Sequence, residues 1–88
     1  VAEGFKLKAT STSSQSFDIS IETPATENAS ILLYDIDGKM VLLLKEGFIN
    51  SGEVLHINLD TKNLQSGLYL VSYRSATRKE SINIIVKH

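Results

Sequence analysis

The sequence predicts an all-β protein, a seven-stranded antiparallel immunoglobulin-like β-sandwich. Three observations carry that expectation. Apolar and polar residues alternate with period two in several separate stretches, and each stretch has ordinary strand length. Between them lie short polar turns that hold glycines or the single proline, Pro24. With 88 residues the chain is too short for two hydrophobic cores, so residues 1–88 read as one sandwich domain. The opening Val1-Ala2-Glu3-Gly4 has neither a Met nor a signal peptide, so the domain is expected to be a module of a longer protein.

Phe5 to Ala9 alternates, with Phe5, Leu7 and Ala9 on one face, and predicts a short first strand. Thr10 to Gln15 is Ser/Thr-rich, contains no apolar residue and reads as a loop. Ser16 to Thr23 is the clearest alternation in the chain, with Phe17, Ile19 and Ile21 inward and Asp18, Ser20 and Glu22 toward water. Pro24 ends that strand because it cannot donate to the ladder, and Pro24 to Asn28 reads as a turn.

Ile31 to Tyr34 and Met40 to Leu44 are continuous apolar runs of strand length. Both faces of these strands are apolar, so they sit centrally or turn one face to a neighbouring domain. The connection Asp35-Ile36-Asp37-Gly38-Lys39 favours a type I turn opened by Asp35 and closed by a left-handed Gly38 over a two-residue Asp37-Gly38 turn. Glu46 to Ser51 reads as a loop whose Phe48 and Ile49 fold back over the end of the core.

Val54 to Asp60 alternates again, with Leu55, Ile57 and Leu59 inward and His56 outward. A minor helical turn fits Thr61 to Leu64. Gly67 to Ser75 places Tyr69, Val71 and Tyr73 on one face, Ser75 to Lys79 is a polar turn, and Ser81 to Lys87 closes the domain with Ile82, Ile84 and Val86 inward. The expected core is therefore Phe17, Ile19, Ile21, Leu55, Ile57, Leu59, Tyr69, Val71, Ile82, Ile84 and Val86.

Composition excludes several function classes. There is no cysteine, which removes disulfides and thiolate chemistry. A formal net charge of −1 with scattered bases argues against electrostatic binding of nucleic acid. No apolar run reaches the roughly 18 residues of a membrane-spanning helix. Asp35-Ile36-Asp37-Gly38 shares the opening spacing of a calcium loop, but Glu46 lies at the wrong distance to complete one, so a hairpin turn is the better reading. His56 and His88 stand apart and do not make a zinc site. No serine has a nucleophile-elbow setting with a histidine and an acid, and no catalytic, cofactor or metal residue is expected. Carbohydrate platforms usually need exposed aromatic rings; tryptophan is absent, and Phe48 alone is placed to serve.

The stretch Asn63 to Val71 organises the second half. Leu64-x-x-Gly67-x-Tyr69-x-Val71 fits a sandwich corner in which Leu64 plugs the turn and Gly67 frees the bend. Tyr69 then buries its ring and hydrogen-bonds upstream backbone.

Taken in order, these motifs resemble the C-terminal sorting domain of the type IX (Por) secretion system. That family's Tyr-Asp-x-x-Gly-Lys-x-Val hairpin matches Tyr34, Asp35, Gly38, Lys39 and Val41. Its corner matches Leu64, Gly67, Tyr69 and Val71, and its closing branched strand ending in a base matches Ile84, Ile85, Val86 and Lys87. The resemblance covers about residues 16–88. Two departures accompany it: Lys8 to Thr12 replaces the proline-containing opening segment, and the base before the last apolar run is displaced to Lys79.

The resemblance implies a non-enzymatic C-terminal module that directs a covalently linked cargo domain out of a Gram-negative, Bacteroidetes-type bacterium. Its partners would be the outer-membrane secretion machinery and a surface sortase-like protease. Its route would run through the periplasm to secretion or the cell surface. A fibronectin-III-like spacer, adhesion or carbohydrate-binding module of a secreted enzyme is the alternative.

Overall fold

A computed structural model describes residues 4–13 and 15–87. Seven strands run β1 (Lys6–Ser13), β2 (Ser16–Glu22), β3 (Glu27–Asp35), β4 (Met40–Ile49), β5 (Val54–Asp60), β6 (Gly67–Ser75) and β7 (Lys79–Val86). They form two antiparallel sheets, one of order β1-β2-β5 and one of order β4-β3-β6-β7. No helix occurs among the described residues.

The period-two stretches act as expected: each strand turns its apolar row into the space between the sheets. The smaller sheet supplies Ile19, Ile21 and Leu59, and the larger supplies Ile31, Leu33, Val71, Tyr73, Ile84 and Val86, all nearly or wholly buried. Each such aliphatic side chain stabilises the fold by about 1.5–3 kcal/mol on burial. Four residues expected in the core, Phe17, Leu55, Ile57 and Ile82, are only half-buried. Leu55 and Ile57 belong to β5 and Ile82 to β7, which are edge strands covered on one side only. Ile31, Leu33 and Tyr73 occupy the centre instead, because β3 and β6 are the inner strands of the larger sheet.

Three loop expectations are corrected. β1 does not stop at Ala9 but continues through Ser13, paired along β2 from Lys6↔Glu22 to Ser13↔Ser16. Its polar end carries no alternation because it lies beyond the filled core, where side-chain oxygens bond one another: Thr12 to Ser16 at 2.6 Å and Ser13 to Ser16 at 2.9 Å. The turn after Pro24 is shorter than expected, and β3 already begins at Glu27.

The third correction is at β4, which runs to Ile49 and absorbs most of the expected Glu46 to Ser51 loop. Its register against β3 slips by one residue between Ile31 and Leu32 and again between Leu33 and Tyr34. Each slip inserts an extra β4 residue, so Val41, Leu44 and Ile49 turn inward at spacings wider than two. Ile49 does cover the core as expected, whereas Phe48 is 72% exposed. Thr61 to Leu64 forms a single hydrogen-bonded turn, Leu64 N–H to Thr61 carbonyl at 3.0 Å, with the i→i+3 bond of a 3₁₀ turn and no helix beyond it.

The strands lie along a body of 37 × 25 × 24 Å. One end carries the β3–β4 turn, the start of β6 and the end of β7. The other carries the β6–β7 turn, the start of β3 and Phe5, where β1 begins.

Candidate functional site

The sequence-predicted residues come from three stretches, and the larger sheet brings them together. Asp35 pairs with Tyr69, and Tyr69 pairs with Ile84, so one cross-strand row joins all three motifs. Gly67 faces Val86 two residues further along the same end.

Asp35 builds its turn outright. Its N–H donates to the Lys39 carbonyl at 2.9 Å, and its carbonyl accepts the Gly38 N–H at 3.0 Å. Its carboxylate Oδ1 accepts the N–H groups of Asp37 and Lys39 at 2.9 and 3.0 Å. Gly38 has φ 86°, the left-handed value that closes a type I turn with a bulge, as the sequence predicts. No group of three acidic, histidine or cysteine side chains able to hold a metal occurs among the described residues.

The corner also forms as read. Tyr69 is 8% exposed, and its hydroxyl donates to the Gln65 carbonyl at 2.8 Å, four residues upstream. Leu64 packs against the core, and Gly67 takes φ 156°, outside the range comfortable for other residues.

Besides Asp35, Gly38 and Gly67, which shape the turns, the motif positions divide by direction. Tyr69, Val71, Ile84 and Val86 are buried, and Val41 and Leu64 are half-buried against them. Lys39, Ile85 and Lys87 are exposed, while Tyr34 lies half-buried on the outer face with the Arg74 guanidinium 5.6 Å over its ring. Beside Tyr34 is an open depression of about 450 Å³, lined by Ile36, Leu70, Ser72, Arg74 and Ser81 among others. Apolar side chains are displayed on this outer face as well: Met40 and Ile85 are each 59% exposed and Leu43 50%. The inward members hold the corner together, so only the outward ones are available for contact.

A second polar cluster, at the opposite end, escapes sequence reasoning. The Tyr73 hydroxyl donates to the Glu27 carboxylate, which also accepts the Thr77 hydroxyl at 3.1 Å. The Tyr73 bond holds the Glu27 carboxyl below its ordinary pKa against a smaller upward push from burial. Burial, then the bond to Glu27, pushes the Tyr73 hydroxyl far above the usual tyrosine range. Phe5 packs on the Tyr73 ring at 4.9 Å with the Arg78 guanidinium 4.6 Å from its own ring. Glu27 and Tyr73 lie 46 positions apart, so no local pattern announces them. On the smaller sheet, outward His56 meets Asp18 at 2.9 Å, an exposed cross-strand pair.

Residues 12–87 match the family model of the secretion system C-terminal sorting domain. Curated proteins show no match. The matched region contains the Tyr34 hairpin, the Tyr69 corner and the closing strand, which meet at one end of the larger sheet; the chain thus belongs to the secretion system C-terminal sorting domain family, the export signals of type IX secretion.

Proposed function

We propose that this domain is an immunoglobulin-like sandwich whose corner end is the address read by the outer-membrane machinery, with Tyr34, Lys39, Ile85 and Lys87 as the displayed contact residues. The observation that supports this reading is the single row Asp35, Tyr69 and Ile84, which brings three distant motifs to one end of the larger sheet. Asp35, Gly38, Val41, Leu64, Gly67, Tyr69, Val71, Ile84 and Val86 then act by shaping that end. A cargo domain joined upstream would cross the periplasm with this module and be delivered outside the cell, where a sortase-like protease would release it. A sorting domain of this kind performs no chemistry of its own.

The test is a folded reporter placed ahead of residues 1–88 in a type IX-competent bacterium. The native fusion is expected outside the cell, and removal of Ile85 to His88 is expected to trap it in the periplasm. Because that deletion also removes Val86 from the core, a short extension after His88 serves as the companion variant that spares every buried residue. Periplasmic retention of both the native and the extended fusions refutes the sorting role of this chain. Equal export of both shows that a free chain end is not what is read.

A further inference from the structure

The larger sheet has two free edges, β4 and β7, and they differ. β4 is broken by two register slips, whereas β7 pairs with β6 without interruption from Gly67↔Val86 to Arg74↔Lys79. A bulged edge is a poor template for an added strand, and a straight one is a good template.

The direction of the β7 backbone follows from one hydrogen bond. The Ser75 N–H donates to the Arg78 carbonyl at 2.8 Å, so Ser75 points toward β7. Alternation then points Tyr73, Val71 and Tyr69 toward β7, and their partners Glu80, Ile82 and Ile84 back toward β6. The N–H and C=O groups of Ser81, Asn83 and Ile85 therefore face off the sheet.

β1 of the smaller sheet approaches β7 along this edge, and the two strands part toward Lys87. Along β1 the inward positions change from Leu7 and Ala9 to Ser11, a side chain too small to reach β7. A groove of about 540 Å³ remains, with Ala9, Ser11 and Phe17 on one bank and Asn83, Ile85 and Lys87 on the other. Exposed Lys79 and Lys87 bracket the edge, with Arg74 across from Lys79. A second copy fits poorly: antiparallel β7–β7 pairing centred on Asn83 would set Lys79 against Lys87 at both ends, a repulsive cross-strand arrangement.

We propose that the free edge of β7 accepts one extended polypeptide strand from the receptor, acidic at both ends and apolar at alternate positions between them. The proposal rests on the sorting reading and names the form of its partner. The partner's backbone would bond Ser81, Asn83 and Ile85, its apolar side chains would enter the groove toward Phe17, and its acids would meet Lys79 and Lys87.

The probe is the blocked peptide Glu-Val-Thr-Val-Thr-Val-Thr-Val-Glu, whose acids share the outward face of Lys79 and Lys87 while its valines face inward, titrated into isotope-labelled domain and followed by NMR. The amides of Ser81, Asn83 and Ile85 should shift, and their hydrogen exchange should slow by about tenfold or more, with β4 unchanged. The same peptide with lysine ends should bind about tenfold more weakly or worse. Asn83→Pro removes one outward N–H and no bond to β6, and should abolish binding while leaving the circular-dichroism spectrum native. If proline unfolds the domain, Lys79→Glu with Lys87→Glu takes its place and should reverse the preference between the two peptides.

Shifts centred on β4, no shift at about millimolar peptide, or a dimer held through β7 in light scattering would overturn the proposal. In the reporter fusion, folded Asn83→Pro should remain inside the cell. Its export at the native level overturns the edge proposal and leaves the sorting reading standing. Failure of the native fusion strikes the sorting reading alone, and the peptide titration still decides the edge.

Discussion

Tyr73→Phe isolates the bond that anchors the end of the domain where β1 begins. The change deletes one oxygen and leaves a ring that is 0% exposed still packed on Phe5. No sizeable cavity results, so the cost reports the hydrogen bond to Glu27. A hydrogen bond to a charged acceptor contributes about 1.5–3 kcal/mol. Glu27 keeps its bond from Thr77, and as a half-buried residue it lets water reach the freed oxygen, which selects the lower half, about 1.5–2 kcal/mol. For a domain of this size the melting midpoint should fall by about 6–16 °C. The assay is urea and thermal unfolding at neutral pH of the native chain, Tyr73→Phe, Glu27→Gln and the double variant. In the Glu27→Gln background, Tyr73→Phe should cost at least about 0.5 kcal/mol less than in the native chain. Equal cost in both backgrounds would refute the assignment, because the hydroxyl would then be acting through some other contact.

Leu33→Ala should cost about 2–5 kcal/mol, Ile57→Ala less because it is half-buried on an edge strand, and exposed His56→Ala almost nothing; denaturant midpoints in another order would overturn the strand registers. Tyr69→Phe should cost only about 0.5–1.5 kcal/mol, since the freed Gln65 carbonyl belongs to an exposed residue that water can reach. Gly67→Ala, where an added Cβ would meet nothing within 4 Å, should lose about 1–3 kcal/mol from backbone strain alone. Acid should weaken the fold through Glu27: its folded pKa lies below the unfolded 4.5, so its contribution is present above that pH and disappears as pH falls through the folded value. Melting curves of Glu27→Gln should lack this component.

Where one face of a strand is apolar and the other polar, the sequence reads directly as structure, as Phe17 to Ile21 and Tyr69 to Tyr73 show. The turn at Asp35 and the corner at Tyr69 were legible too, because their chemistry is local: a carboxylate two and four residues from the N–H groups it caps, and a hydroxyl four residues from its carbonyl. β4 was not legible. Its two inserted residues break the period of two, and Met40 to Leu44 is apolar at every position, so nothing in the run says which side chain turns inward. The serine-rich end of β1 was missed for the opposite reason, having no apolar residue to mark a face. Of the candidate site, motif membership was readable. The division into buried corner-builders and displayed residues was not, since it depends on which strands flank each position.

The opposed positions of Phe5 and Lys87, at the two ends of a body 37 Å long, have a mechanical consequence. Tension applied between them runs parallel to the strands. It loads the β1–β2 ladder along its length, from Lys6↔Glu22 onward, and the β6–β7 ladder likewise. Bonds loaded in shear share the force and must fail together, whereas a ladder peeled from one end gives way a bond at a time. A module built this way resists tension between its first and last strands better than one whose terminal strands are peeled away.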